Sequence, residues 1–365
     1  WWRSWEATPE WIADDGAEKA LAYLYVNRNK LDVTLDLEHS EGRRLLLELV
    51  RGADALIENY SGAVLPKLRL DYSHLAKVNP GLVMISMPAF GQSGPWSEFR
   101  AYGSTVEQSS GLPHLVGHAN QPPTMQHVAF GDPIGGLNGT AALLTALWHR
   151  QRTGEGQLVD LSQVECLFPH AAPGILHQAV HGAPPTRIGN DSPEHAPHGV
   201  YPCHGDDRWI LIQVTNQEQW HALCRHVPAL ADKSEMTSAQ RLEARRSIDQ
   251  ILAGWSCRHS SQALMLKLQQ VGIIAATLHH ADDLLDDPQL DFRGYMQWLD
   301  RAFIGKQPHP SPPWRDGPDP LQLRDPAPTL GQHNKEVLGG DLGLSDEALA
   351  RLEKQGIIGT KPRLD

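Results

Sequence analysis

Cysteine is scarce: four residues in a chain of 365. Cys166, Cys203, Cys224 and Cys257 lie far apart with no CxxC pair, which argues against a disulfide framework or a cysteine zinc site and fits a reducing cytoplasm. Long apolar runs are also missing. No window approaches the roughly 18 uncharged apolar residues that span a bilayer, so no membrane role is expected. Cations do not dominate: the formal net charge is -11. That sign excludes nucleic-acid binding through the whole surface, because neutralising phosphates takes clustered Lys and Arg, although a local basic spot can still hold one small anion. The GxSxG, P-loop and GxGxxG signatures are absent. Histidine is plentiful but disorganised. His114 and His118 have i, i+4 spacing next to Pro113 and Gly117, His195 and His198 fall in a proline-rich stretch, and His279 and His280 are adjacent, so no metal site is expected. The opening, "WWRSWEATPEW", has neither methionine nor a signal-peptide pattern and reads as a chain entered partway.

The composition that remains, 41% apolar and 21% charged, is that of a globular protein long enough for one large domain with a second inserted in it. Between residues 17 and 100 short apolar runs alternate with helical patterns. "VTLDL" (33–37), "ALIENY" (55–60) and "LVMISM" (82–87) read as strands, and "SEGRRLLLELVRGA", capped by Ser40, and "SHLAKVNP" read as helices. Such alternation predicts an α/β fold with a parallel sheet covered on both faces. Helical pattern then dominates to about 180, ending one long helix at "HRQRTGEGQ", and "GQLVDLS" gives a further strand. Two passages rich in proline, 181–199 and 306–320, flank a hairpin pattern ("VYPCHGDDRWILIQV") and several helices. The expected division is a large domain over 1–185, a small domain over 186–310, and a return to the large domain over 311–365, with a tail helix from Ser345.

The stretch "GDPIGGLNG" (131–139) demands an explanation. Asp132 followed by Pro133 is an ordinary helix start, with the aspartate as cap. Gly135, Gly136 and Gly139 then follow within two turns, each costing about 1 kcal/mol relative to alanine inside a helix. They permit either tight packing against another element or close approach of a ligand. A carboxylate at a helix N-terminus sits in a field that favours its ionised form, and an ionised carboxylate can attack an activated carbonyl to give a mixed anhydride. Asp132 is therefore the candidate for chemistry. "NRNK" (27–30) places Arg28 and Lys30 where a phosphate could be met, although such a pair is commonly a solvated edge. "ENY" (58–60) and "FGQSGP" (90–95) close two strands at their carboxyl ends, where open parallel sheets place ligands.

Together these stretches resemble the family III CoA-transferases, the group of formyl-CoA transferase, carnitine CoA-transferase and α-methylacyl-CoA racemase. The resemblance runs through "NRNKLDVTLDLEHSEGRRLLLELV", "ADALIENY", "NPGLVMISMPAFGQSGPW", "GDPIGGLNG", "RTGEGQLVDLS", "RIGN" to "VYPC" and "LGQHNKEVL", in the family's order. It implies a Rossmann-like large domain built from both chain ends, a smaller α+β domain inserted between, and two ring-shaped subunits interlinked as a homodimer. It also implies acyl-CoA and a small carboxylic acid as substrates with no covalently bound cofactor, and Asp132 as the nucleophile that carries first the acyl group and then CoA. By position, Lys30, Asn59 and Tyr60 match CoA contacts, Arg28 adjoins them, and Gln92 matches a loop near the reacting centre. Gly135 and Gly136 would let thioester and backbone meet.

Three departures stand out. By the resemblance, about forty residues that open the family fold would be expected before Trp1. Where some transferases carry a glutamate and the racemases a histidine, this chain has Gly103, with Glu107 one turn on. Leu31 and Asp32 follow Lys30 where a second cation is common. The leading expectation is CoA transfer through Asp132. The alternatives are an acyl-CoA racemase or isomerase with Asp132 as acid or base, and a non-catalytic CoA-binding half of a longer fused protein.

Overall fold

Ala55–Glu58 (β1), Val83–Ser86 (β2) and Gln157–Asp160 (β3) form a parallel sheet in the order β1-β2-β3, with Ala55 opposite Val83 and Val83 opposite Gln157. In this computed structural model Arg3, residues 8–124 and residues 129–362 are described. All four residues of β2 are buried, as suits a central parallel strand. Its side chains alternate between two cores. Val83 and Ile85 pack with Ala146 on one face, while Leu82 and Met84 pack with Val50, Leu65, Leu70 and Leu75 on the other. The sheet is thus covered on both sides, the α/β arrangement that the alternation of strands and helices predicts.

The helices that frame it are Ser40–Gly52 (α1), Tyr72–Val78 (α2), Gly103–Ser109 (α3) and Gly131–Thr153 (α4). α2 is capped by Asp71, and α4 ends at Gly154 in a left-handed conformation (φ 79°), the stop that the sequence suggests. Two expectations fail locally. The cap of α1 is His39, whose ring nitrogen accepts from the Glu41 N–H, and Ser40 is already helical. Residues 33–36 form no strand. Their backbone is held instead by distant groups: the Thr34 N–H donates to Asn334 Oδ1 and the Asp36 N–H to the Ile357 carbonyl.

By its internal contacts the described chain forms two compact units. The larger takes in Trp1–Ser109, His127–Pro169 and Leu285–Asp365, and the smaller takes in Ser110–Gln126 and His170–Leu284. The hairpin of Met296–Arg301 and Gly305–Pro310, which composition had put with the small domain, counts with the larger unit. Buried Arg301 ties it there by donating to the Ala327 and Pro328 carbonyls and to Glu18 Oε2 at 2.7 Å. The smaller unit holds the expected antiparallel hairpin, His198–Pro202 with Trp209–Gln213, extended by Ile274–Leu278. Ile210 and Ile212 point from its middle strand into a core with Trp220 and Leu252. Among the described residues no helix is long and apolar enough to cross a membrane, and no group of three or more His, Cys, Asp or Glu could hold a metal ion.

Candidate active site

The direction of α4 follows from what its residues touch. Near its C-terminus Arg150 donates to the Asp54 and Gly81 carbonyls, just before β1 and β2 begin. In mid-helix Ala146 packs on Val83 and Ile85, and Gly139 lies against Met87, just past the end of β2. α4 therefore runs opposite to the strands. Asp132, seven residues before Gly139, stands about 10 Å further along at a rise of about 1.5 Å per residue. That is the carboxyl rim of the sheet, where open α/β sheets bind ligands.

Asp132 is not the cap of its helix. α4 begins at Gly131 with Phe130 in the cap position, and no side chain caps it, so the carboxyl is not spent on helix termination. Ala129, just upstream, holds a left-handed φ of 47°, a conformation that costs a residue bearing a β-carbon about 1–2 kcal/mol. The carboxyl is reachable by solvent yet lies against α3. A methyl built on Gly103 would stand 2.6–2.7 Å from all three atoms of the Asp132 carboxyl group. Packing of this kind strips part of the hydration from the carboxylate and raises its pKa above the usual aspartate value. Desolvation acts here against the field of the helix N-terminus, which favours the ionised form.

The glycines divide into two sets. Gly131, Gly135 and Gly139 are buried on one face of α4, against the Gly103 carbonyl and Val106, against Gln163, and against Met87. Gln163 is itself fixed by donating to the Met87 carbonyl at 2.6 Å. Gly135 thus packs on protein. Gly136 has nothing within 4 Å and leaves open space beside the entrance of the helix.

The strand ends supply the remainder of the rim. Glu58, Ser86 and Asp160 are the last residues of β1, β2 and β3. Ser86 donates its hydroxyl to Glu58, the Tyr60 N–H donates to the other Glu58 oxygen at 2.8 Å, and the Gln92 N–H donates to Asp160 at 3.0 Å. A cavity of about 420 Å³ opens here, lined by Glu58, Ser61, Ser86 and Gln92 over Met84 and Leu158. Tyr60 turns the other way, half exposed, into a cavity of about 720 Å³ with Thr34, Val64, Ile358 and Lys361. Asn59, between them, is exposed. Among the described residues, the hydrogen bonds of Arg28 and Lys30 lead elsewhere than this rim. Arg28 donates to the Pro310 carbonyl and lies over the Tyr25 ring at 5.2 Å. Lys30 Nζ folds back to the Val26 carbonyl at 3.0 Å and to Asn27, and loss of hydration lowers its pKa. Sequence reasoning took Glu58 only as part of the "ENY" strand end and passed over Ser86, Asp160 and Gln163. The last residue of each parallel strand was the signal for the first three, whereas nothing in the sequence marks Gln163. Glu107 is buried on α3, one turn from Gly103.

The profile of CoA-transferase family III matches residues 1–334. The chain belongs to this family. As a family III CoA-transferase it is an enzyme, and its relatives cover most of its length. A succinyl-CoA–D-citramalate CoA-transferase of Chloroflexus aurantiacus is 29% identical over 96% of this chain and 87% of its own. A succinate–glutarate CoA-transferase of Agrobacterium fabrum is 30% identical over 89% and 82%. Among solved structures, a CaiB/BaiF family protein from Brucella suis is similar with a TM-score of 0.80 at 28% identity, covering 87% of this chain and 83% of that one.

Proposed function

We propose that this family III member moves CoA from an acyl-CoA thioester to a small carboxylic acid through covalent intermediates on Asp132. The observation that carries this reading is the Asp132 carboxyl: uncapping, partly desolvated, and standing at the carboxyl rim beside the open space of Gly136. A carboxylate short of hydration is a better nucleophile than one fully solvated. One Asp132 oxygen attacks the thioester carbonyl, the C–S bond breaks, and CoA leaves as the thiolate. The thiolate then attacks the Asp132 side of the anhydride, releasing the donor acid and leaving an aspartyl-CoA thioester. The acceptor carboxylate repeats the two steps in reverse, which regenerates Asp132 and delivers the new acyl-CoA.

Asn59, Tyr60 and Gln92, on the rim loops, and Arg28 and Lys30, near the start of the chain, are assigned to CoA, and Gly136 to the passage of the thioester. Gly135 serves this passage only indirectly, by seating α4 on Gln163. The relatives named for succinyl-CoA, citramalate, succinate and glutarate make short dicarboxylic acids the first acids to test. A homodimer is supported by α4, where Leu137, Leu144 and Trp148 form an apolar stripe at i, i+7 and i+11 that is 62–67% exposed in the single chain. The test of the chemistry is turnover of succinyl-CoA with a panel of carboxylic acids, with Asp132→Ala alongside. Transfer by the parent and none by the variant is expected. Full activity in the variant overturns the reading.

A further inference from the structure

We propose that Gly103 is a positioning residue for Asp132, its missing side chain fixing where the nucleophilic carboxylate stands. The proposal rests on the reading of Asp132 as nucleophile. Gly103 is the first residue of α3 and is buried. Its backbone does not require glycine, since it is not among the residues of positive φ, and alanine is the better helix former. What a side chain would meet there is the explanation. The three nearest heavy atoms to a Cβ at 103 are Cγ, Oδ2 and Oδ1 of Asp132, at 2.6, 2.6 and 2.7 Å, closer than real Cβ contacts come.

Something must give, and the surroundings decide what. α3 and α4 also approach closely along the backbone. A Cβ on Gly131 would lie 3.0 Å from the Gly103 carbonyl oxygen and 3.1 Å from Val106, which is itself buried. The two helix entrances are therefore seated backbone to backbone. The Asp132 side chain is the mobile partner, and a methyl at 103 would push it to another staggered rotamer. The carboxylate would survive in the wrong place.

The test compares Gly103→Ala, Asp132→Ala, the double variant, and Gly254→Ala as a helical glycine with open space around it. Gly103→Ala is expected to lower kcat roughly 10- to 100-fold, as a displacement of about 1 Å can, while KM for succinyl-CoA stays within about twofold. Its melting temperature stays within a few degrees of the parent, and Gly254→Ala keeps the parental kcat. Parental kcat in Gly103→Ala, with Asp132→Ala inactive, overturns the positioning role and leaves the nucleophile standing. A rise in KM with kcat unchanged overturns it equally. Full activity in Asp132→Ala removes the nucleophile and the positioning role together. If Gly103→Ala does not fold, the double variant decides, since removing the carboxyl removes the collision. Folding restored supports the contact, and a double variant still unfolded overturns it.

Discussion

The two ends of α4 are both lined with glycine, for different reasons. At the exit, Gly156 leads into β3, and a Cβ there would stand 2.3 Å from the Leu82 carbonyl oxygen and 2.7 Å from the Gly81 carbonyl carbon. These are backbone atoms of the turn into β2, and they cannot move without the sheet. At the entrance, a Cβ on Gly103 would meet first the tip of a short side chain. The same residue type guards architecture at one end and a reactive group at the other. What separates them is the stiffness of the neighbour: a glycine against backbone is needed for folding, and a glycine against a movable carboxylate is needed for placing it.

The comparison can be broken by experiment. The largest effect belongs to the entrance: Asp132→Ala is expected to lower kcat at least about a thousand-fold, the scale on which loss of a nucleophile is felt, with thermal unfolding almost unchanged. Gly156→Ala should show the opposite pattern. Overpacking against backbone should cost about 3 kcal/mol in denaturant unfolding, while kcat per folded molecule is retained. A kinetic defect at 156 without loss of stability would erase the distinction. Lys30→Ala sharpens it from outside α4. Lys30 is hydrogen-bonded to Val26 and Asn27 just upstream, and one exposed charge is worth up to about 1 kcal/mol, so KM for the acyl-CoA should rise no more than about fivefold with kcat unchanged.

The smallest effect is on pH. Asp132 has a raised pKa in the folded chain, so folding favours its protonated form. Ionised Asp132 therefore costs stability above that raised value, and the cost fades as pH falls toward the ordinary carboxylate range. Asp132→Asn should melt a few degrees higher than the parent at neutral pH and equal it in acid. In the parent, kcat/KM should fall in acid with a midpoint above the usual aspartate value, because only the carboxylate attacks.

Much of this was legible in the chain. β1, β2 and β3 are short aliphatic runs bounded by turn residues, and their local pattern sufficed. The long helix of Asp132 and its stop at Gly154 were equally visible. Residues 33–36 misled because alternation signals an extended backbone and not its partners, which lie some 300 residues away at Asn334 and Ile357. The hairpin ending at Pro310 was hidden by its prolines, which read as linker but are tolerated in a two-stranded edge. At the site, Asp132 could be picked out by its glycines, yet only coordinates separate Gly135, filled by Gln163, from open Gly136. Gly103 read as a missing acid, because contact with Asp132 depends on two helix starts meeting.

Hydroxylamine trapping tests the central claim most directly. During turnover of succinyl-CoA with an acceptor acid, hydroxylamine should capture the activated acyl carbon of Asp132 as a hydroxamate, located by mass spectrometry on the peptide that contains 131–139, and inactivate the enzyme as the label accumulates. Steady turnover in hydroxylamine with Asp132 unmodified, or a hydroxamate on another carboxylate alone, would contradict the account.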